Sequence, residues 1–165
     1  MLFHVSEERG IARFEPRPSE FSSGPVVWAI DDQHLRNYLV PRDCPRVTYY
    51  AGPTTTRADI ERFLGLSTAV VAIESGWLER VRSCLLYCYH LPPDTFTCLN
   101  TSAGYFVSSL AVEPRSVSVI EDAESELLHR GVDLRVLPNL RPLRDAVVAS
   151  SLEFSMIRMR NALPI

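Results

Sequence analysis

The chain has 165 residues, 46% of them hydrophobic and 22% charged, with 17 basic and 20 acidic side chains and a net charge of −3. That length suits one compact domain with a core of its own, and a mean hydropathy near zero excludes a disordered tail. No apolar run approaches the roughly 20 residues of a membrane span. Met1-Leu2-Phe3-His4 opens without the basic region and apolar stretch of a signal peptide, so a cytoplasmic domain is expected. The mildly acidic balance gives no global attraction to nucleic acid.

All 17 basic residues are arginine. Schiff-base chemistry, a phosphate-loop lysine and the kinase lysine–glutamate pair are therefore excluded, since each needs a lysine amine. The cysteines are Cys44, Cys84, Cys88 and Cys98, with neither a Cys-x-x-Cys pair nor zinc-finger spacing, so no metal site is expected. Without a secretory signal the thiols should be reduced. Cys44, between Asp43 and Pro45 in a polar loop, is the candidate for reactivity.

In chain order, Leu2 to Val5 reads as a strand interrupted by His4, and Ser6-Glu7-Glu8 as a turn or helix start that Ser6 caps. Glu15 to Pro25 holds three prolines and a glycine and reads as a loop. Val26 to Ile30 is a strand, after which Asp31-Asp32 caps a helix that stops before Pro41. Arg46 to Ala51 alternates as a strand, and Thr56 to Leu64 is a capped helix with Ile60, Phe63 and Leu64 on its apolar stripe. Ala69 to Ile73 is a strand and Trp77 to Val81 a short helix. Leu85 to Leu91, Tyr105 to Ser109 and Val117 to Ile120 are further strands. Asp122 to Arg130 is a helix closed by Gly131, and Val132 to Leu137 a late strand. Leu140 to Asn161 carries helical spacing, with a weak point at Ser150-Ser151. Consecutive strands outnumber the helices, which predicts a single α+β domain over 1–165 with a mixed, mainly antiparallel sheet and flanking helices. The absence of Gly-x-Gly-x-x-Gly argues against a doubly wound nucleotide fold.

His4 is the first candidate, because a histidine inside an apolar strand must be hydrogen-bonded or face a cleft. Leu2-Phe3-His4-Val5-Ser6, with Ile11 and Phe14-Glu15-Pro16, resembles the opening of ADP-ribosyltransferase-like domains. Val26 to Asp31 resembles their second strand, and Asp31 to Val40 the helix after it. Tyr87 to Phe96, Val107-Ser108-Ser109 and Val112-Glu113-Pro114 with Val119-Ile120 resemble the later strands. The chain as a whole is also similar to a small bacterial family of unknown function.

The resemblance implies an ADP-ribosyltransferase-like fold with a cleft for NAD or an ADP-ribose-like ligand. In such a cleft His4 would bond the ribose side with Ser6 nearby, and Trp28 or Tyr38 would pack the nicotinamide. The active transferases place a glutamate on a later strand, where a fixed carboxylate stabilises positive charge at the ribose. The matching strand here, Gly104 to Ser109, has no acid, and Glu113 lies beyond it.

Arginine supplies the second constellation. Pro41-Arg42-Asp43-Cys44-Pro45-Arg46 sets two guanidiniums on a rigid turn, and Ser155 and Arg158 share a helical face that lines a pocket in this reading. The planar guanidinium suits two-pronged phosphate binding. The duller reading is ion pairing with Asp43 and arginine stems laid over apolar surface. Three functions follow: nucleotide binding with ADP-ribosyl transfer, a non-catalytic ligand- or partner-binding module on the same fold, or an enzyme of another class using the same cleft, such as a nucleotide phosphotransferase or hydrolase.

Overall fold

Short β-branched and aromatic runs separated by Gly, Pro and Ser give ten strands. They are β1 (Leu2–Ser6), β2 (Val27–Ile30), β3 (Arg46–Tyr50), β4 (Ala69–Glu74) and β5 (Leu86–Leu91). The others are β6 (Thr97–Asn100), β7 (Tyr105–Ser108), β8 (Ser116–Ile120), β9 (Val132–Leu137) and β10 (Glu153–Ile157). The helices are α1 (Arg57–Asp59, prolonged by one π turn, Ile60–Leu64), α2 (Leu78–Ser83), α3 (Ala123–His129) and α4 (Arg141–Val148). The structure, a computed structural model, describes residues 1–165 and gathers them into two units. Met1–Tyr38 joins Leu85–Glu121 in the first, and Leu39–Cys84 joins Asp122–Ile165 in the second.

The first unit is a six-stranded antiparallel sheet in the order β6-β7-β2-β1-β5-β8. Side chains alternate across a pleat, so residues directly opposite on neighbouring strands share a face. His4 opposes Tyr89 and Leu2 opposes Leu91, which puts them on the face that packs with Val27, Ala29, Phe14 and Val112. A bridge between Phe14 and Val112 holds this cover in place. The Tyr89 hydroxyl donates to the Glu8 carbonyl (2.7 Å) and accepts from the Ile11 amide (3.1 Å), fastening the loop after β1 onto its own core.

The second unit has a four-stranded sheet in the order β10-β3-β4-β9, antiparallel except for the parallel pair β4–β9. β4, Ala-Val-Val-Ala-Ile-Glu, is buried along its whole length, as an interior strand with apolar residues on both faces should be. Val47, Tyr49, Val70 and Ala72 pack with Phe63, Leu64, Leu140, Val147 and Leu152 to form its core. The Thr56 hydroxyl accepts from the Asp59 amide (3.3 Å) to start α1. Asp122 caps α3 through the Ser125 amide (2.9 Å), and Gly131 closes it at φ +70°, a conformation that favours glycine.

The chain is thus α+β and mainly antiparallel, with its strands divided between two sheets where one mixed sheet was expected. The expected helix after Asp31 is one 3-10 turn, Leu35–Tyr38. The expected helix from Leu140 to Asn161 ends at Val148 and gives way to β10, so Ser155 and Arg158 share no helical face. Glu153-Phe154-Ser155-Met156-Ile157 pairs residue by residue with β3, and the ladder outweighs the local helical spacing. Ser150 marks the break, its hydroxyl donating to the Val147 carbonyl (2.6 Å) and accepting from the Leu152 amide (3.2 Å). No helix is long and apolar enough to cross a membrane.

Candidate functional site

The sequence candidates fall into two groups, His4, Ser6, Trp28 and Tyr38 in the first unit and Arg42, Arg46, Ser155 and Arg158 in the second. His4 is half-buried on β1, a strand inside the sheet. Its Nδ1 donates to the Trp28 carbonyl (3.0 Å), and its ring lies 4.7 Å from that of Phe14. A proton held on Nδ1 makes Nε2 the acceptor of the neutral ring. Ser6 lies on the same face, two residues along, and its hydroxyl accepts from the Glu8 amide (3.0 Å).

Trp28 does not join His4. Phe3 opposes Ile30, so Ala29 shares the face of His4 while the Trp28 side chain lies on the other face. There its ring meets Tyr105 edge-on at 5.8 Å, and the Tyr38 hydroxyl donates to the Tyr105 hydroxyl at 3.4 Å. Sequence inspection missed this because a one-residue step along a strand reverses the face, and the contact with His4 runs through backbone.

Beside these aromatics Asp31, which the sequence offered only as part of the Asp31-Asp32 helix cap, pairs with His34. Asp31 Oδ1 accepts from both the His34 amide and His34 Nδ1, each at 2.8 Å. His34 is buried, and Gly104 lies against the pair at φ +68°. A carboxylate that fixes an imidazole proton is the orienting half of an acid–base device. Asp31-x-x-His34 was a legible spacing, but nothing in the sequence placed Gly104 beside it.

In the second unit the arginine turn is largely spoken for. Arg46 is buried, and its Nη1 donates to the carbonyls of Pro41 (3.2 Å), Arg42 (3.1 Å) and Cys44 (2.8 Å). Those bonds shape the turn from inside. Arg42 is exposed on it. Arg158 has a left-handed backbone (φ 56°), and its Nε lies 3.4 Å from the Arg42 carbonyl and 3.7 Å from Asp43. Asn161 adds a bond to the Asp43 carbonyl (2.7 Å), so the C-terminal segment is tied to the turn. Ser155 stands opposite Thr48 on β3. The Thr48 hydroxyl and that of Tyr49 are buried without a hydrogen-bond partner.

Cys44 is buried and is not the reactive thiol that its loop suggested. Burial is the larger influence and pushes it up to about 12, while the Arg46 charge pulls the other way. Cys98 is the exposed cysteine, and all four are free thiols. Glu74, at the end of β4, is buried with its carboxylate accepting from the amides of Leu140 and Leu163, each at 3.1 Å. No cluster of three or more His, Cys, Asp or Glu side chains is placed to hold a metal ion. A shallow, open depression of about 330 Å³ lies between α3 and β9, lined by Glu124, Leu128 and Asp133 to Val136.

The sequence pattern of one family matches residues 3–162, nearly the entire chain. The chain belongs to DUF6886, a family of unknown function. Membership therefore brings no activity with it. No curated protein and no solved structure gave a match. The resemblance to ADP-ribosyltransferase-like domains, carried by short sequence motifs across roughly residues 2 to 120, is not shown by the DUF6886 assignment.

Proposed function

We propose that the chain binds a nucleotide-type ligand, NAD or an ADP-ribose-like molecule, at the His4 face of the first unit, as a binding module rather than a transferase. The setting of His4 carries this reading. An imidazole on an interior strand is aligned by a backbone carbonyl and braced by Phe14, which fixes the orientation of its ring on that face. A fixed imidazole suits recognition of a ribose hydroxyl, and Ser6 supplies a second polar group on the same face.

Binding is favoured over transfer because the strand that matches the transferases' glutamate-bearing strand has no carboxylate. β7 carries no acid, and Asp31 accepts from His34. A ribosyl cation needs a carboxylate held against it. The second reading, ADP-ribosyl transfer, is favoured by the position of His4 in its motif.

Calorimetric titration of wild-type and His4→Ala protein with NAD, ADP-ribose and a nucleoside monophosphate tests the proposal, with chromatography for released nicotinamide alongside. The expected result is binding without nicotinamide release, weakened by on the order of tenfold or more in His4→Ala. Release of nicotinamide would establish the transferase reading instead. Heat from none of the three ligands would discard both.

A further inference from the structure

A sheet edge offers unpaired backbone groups to any strand that can approach, and most proteins guard it with charge, proline or a bulge. Three of the four edges here are guarded. β6 has a register break between Cys98 and Asn100, β9 carries Asp133 and Arg135 within the strand, and β10 begins with Glu153. The fourth, β8, reads Ser-Val-Ser-Val-Ile, with neither a charge nor a bulge in its ladder with β5. It is exposed along most of its length, and Val117 and Val119 keep 49% and 51% of their surface in solvent. Two adjacent half-exposed valines on an open edge invite a partner strand.

The flanking residues say which strand. We propose that β8 pairs antiparallel with β8 of a second copy, about a two-fold axis through Ser118, making one continuous sheet across two first units. In that register Ser118 opposes itself, Val117 opposes Val119 of the other copy, and Arg115 opposes Glu121. Val117 and Val119 alternate with Ser116, Ser118 and Ile120 and fall on one face of the sheet, while Arg115 and Glu121 flank the strand at its two ends. The segment reads charge, valine, valine, charge from end to end, and its two-fold image brings each cationic end to an anionic end and each valine to a valine. Moving the register by two residues puts Arg115 opposite Val119 and loses both ion pairs. The Arg115 amide donates to the His90 carbonyl (2.8 Å), which fastens the charged position beside the first residue of the strand. Arg115 meets Asp94 at 3.4 Å in an exposed contact, which is weak enough to be exchanged.

Pairing over so short an edge buries little surface, so the dimer is concentration-dependent. The pairing does not rest on the ligand proposal, since it is made along the outer edge of β8, with β5 between that strand and the strand of His4.

Light scattering across a concentration series reads the mass of wild type, Arg115→Glu, Glu121→Arg and the double exchange Arg115→Glu/Glu121→Arg, with thermal melts to confirm folding. Wild type should rise toward twice the chain mass. Each single exchange sets like charges opposite at two places and should weaken association about tenfold, while the double exchange restores it. Ser118→Cys, in a Cys98→Ser background, should form an intermolecular disulfide under mild oxidation, because the facing Cα atoms of such a pair lie about 4.5–5.5 Å apart. A wild type that stays monomeric at millimolar concentration overturns the proposal. So does a dimer indifferent to the single exchanges, a double exchange that fails to recover, or a Ser118→Cys chain that will not cross-link.

Discussion

Replacing Arg46 by Met separates a ligand role from a structural one. Nη1 carries two hydrogens and is shared by three carbonyls, so one hydrogen is divided and the group counts as about two bonds. A bond to a charged group contributes about 1.5–3 kcal/mol, giving roughly 3–6 kcal/mol before correction. Removing the buried charge recovers part of its desolvation cost, which leaves a net loss of about 2–4 kcal/mol. In a chain of this size that lowers the melting temperature by roughly 5–15 °C. Thermal and urea unfolding followed by circular dichroism would read it, with Arg46→Lys falling in between because an ammonium lacks the guanidinium's fork. A phosphate-binding arginine would instead leave stability alone and lower affinity for NAD or ADP-ribose. A Met variant that melts within 2 °C of wild type would refute the structural assignment.

Glu74→Ala should strand the Leu140 and Leu163 amides and cost roughly 2–5 kcal/mol in urea unfolding; Glu74→Gln should recover part of it, and equal losses would show that the carboxylate oxygens are not the acceptors. The Cys44 thiol has a folded pKa raised by burial, so its contribution is whole below the unfolded value of about 8.5 and is lost as pH climbs toward about 12. Stability measured across that window should fall, and less steeply in Cys44→Ala; part of the slope should remain there because burial also raises Tyr49. Gly104→Ala should cost about 1–3 kcal/mol, since a methyl group at that left-handed position collides with His34 Nδ1 and the Asp31 carboxylate. An unchanged melting temperature in Gly104→Ala would contradict that packing.

Strands were legible where alternation or an unbroken apolar run met a turn signal. Leu2–Ser6, Ala69–Glu74 and Val132–Leu137 are of this kind, and Gly131 marked the end of α3 at the right place. β6 was not legible, because Thr-Cys-Leu-Asn is short and exposed and its strand character comes from the pairing with β7. β10 misled for a related reason. Leu143, Val147, Phe154 and Ile157 satisfy helical spacing, and only the register on β3 decides otherwise. At the candidate site the residue type of His4 was informative and its surroundings were not. Whether Trp28 points with it or away from it depends on a register that no local pattern encodes. Arg46 shows the same limit, since an arginine that binds phosphate and one that braces a turn are spelled alike.

Each unit is assembled from two separate stretches of chain, and this governs the order in which a ribosome can complete them. β1 emerges first, yet its neighbour β5 follows some eighty residues later, and the edge strand β8 later still. β3 and β4 are in place long before β9 and β10, which flank them. During that interval β4, whose apolar residues are destined for burial on both faces, has only β3 beside it. Nascent chains stalled between residues 75 and 131 should therefore be the most prone to misassociation and the most dependent on holding chaperones.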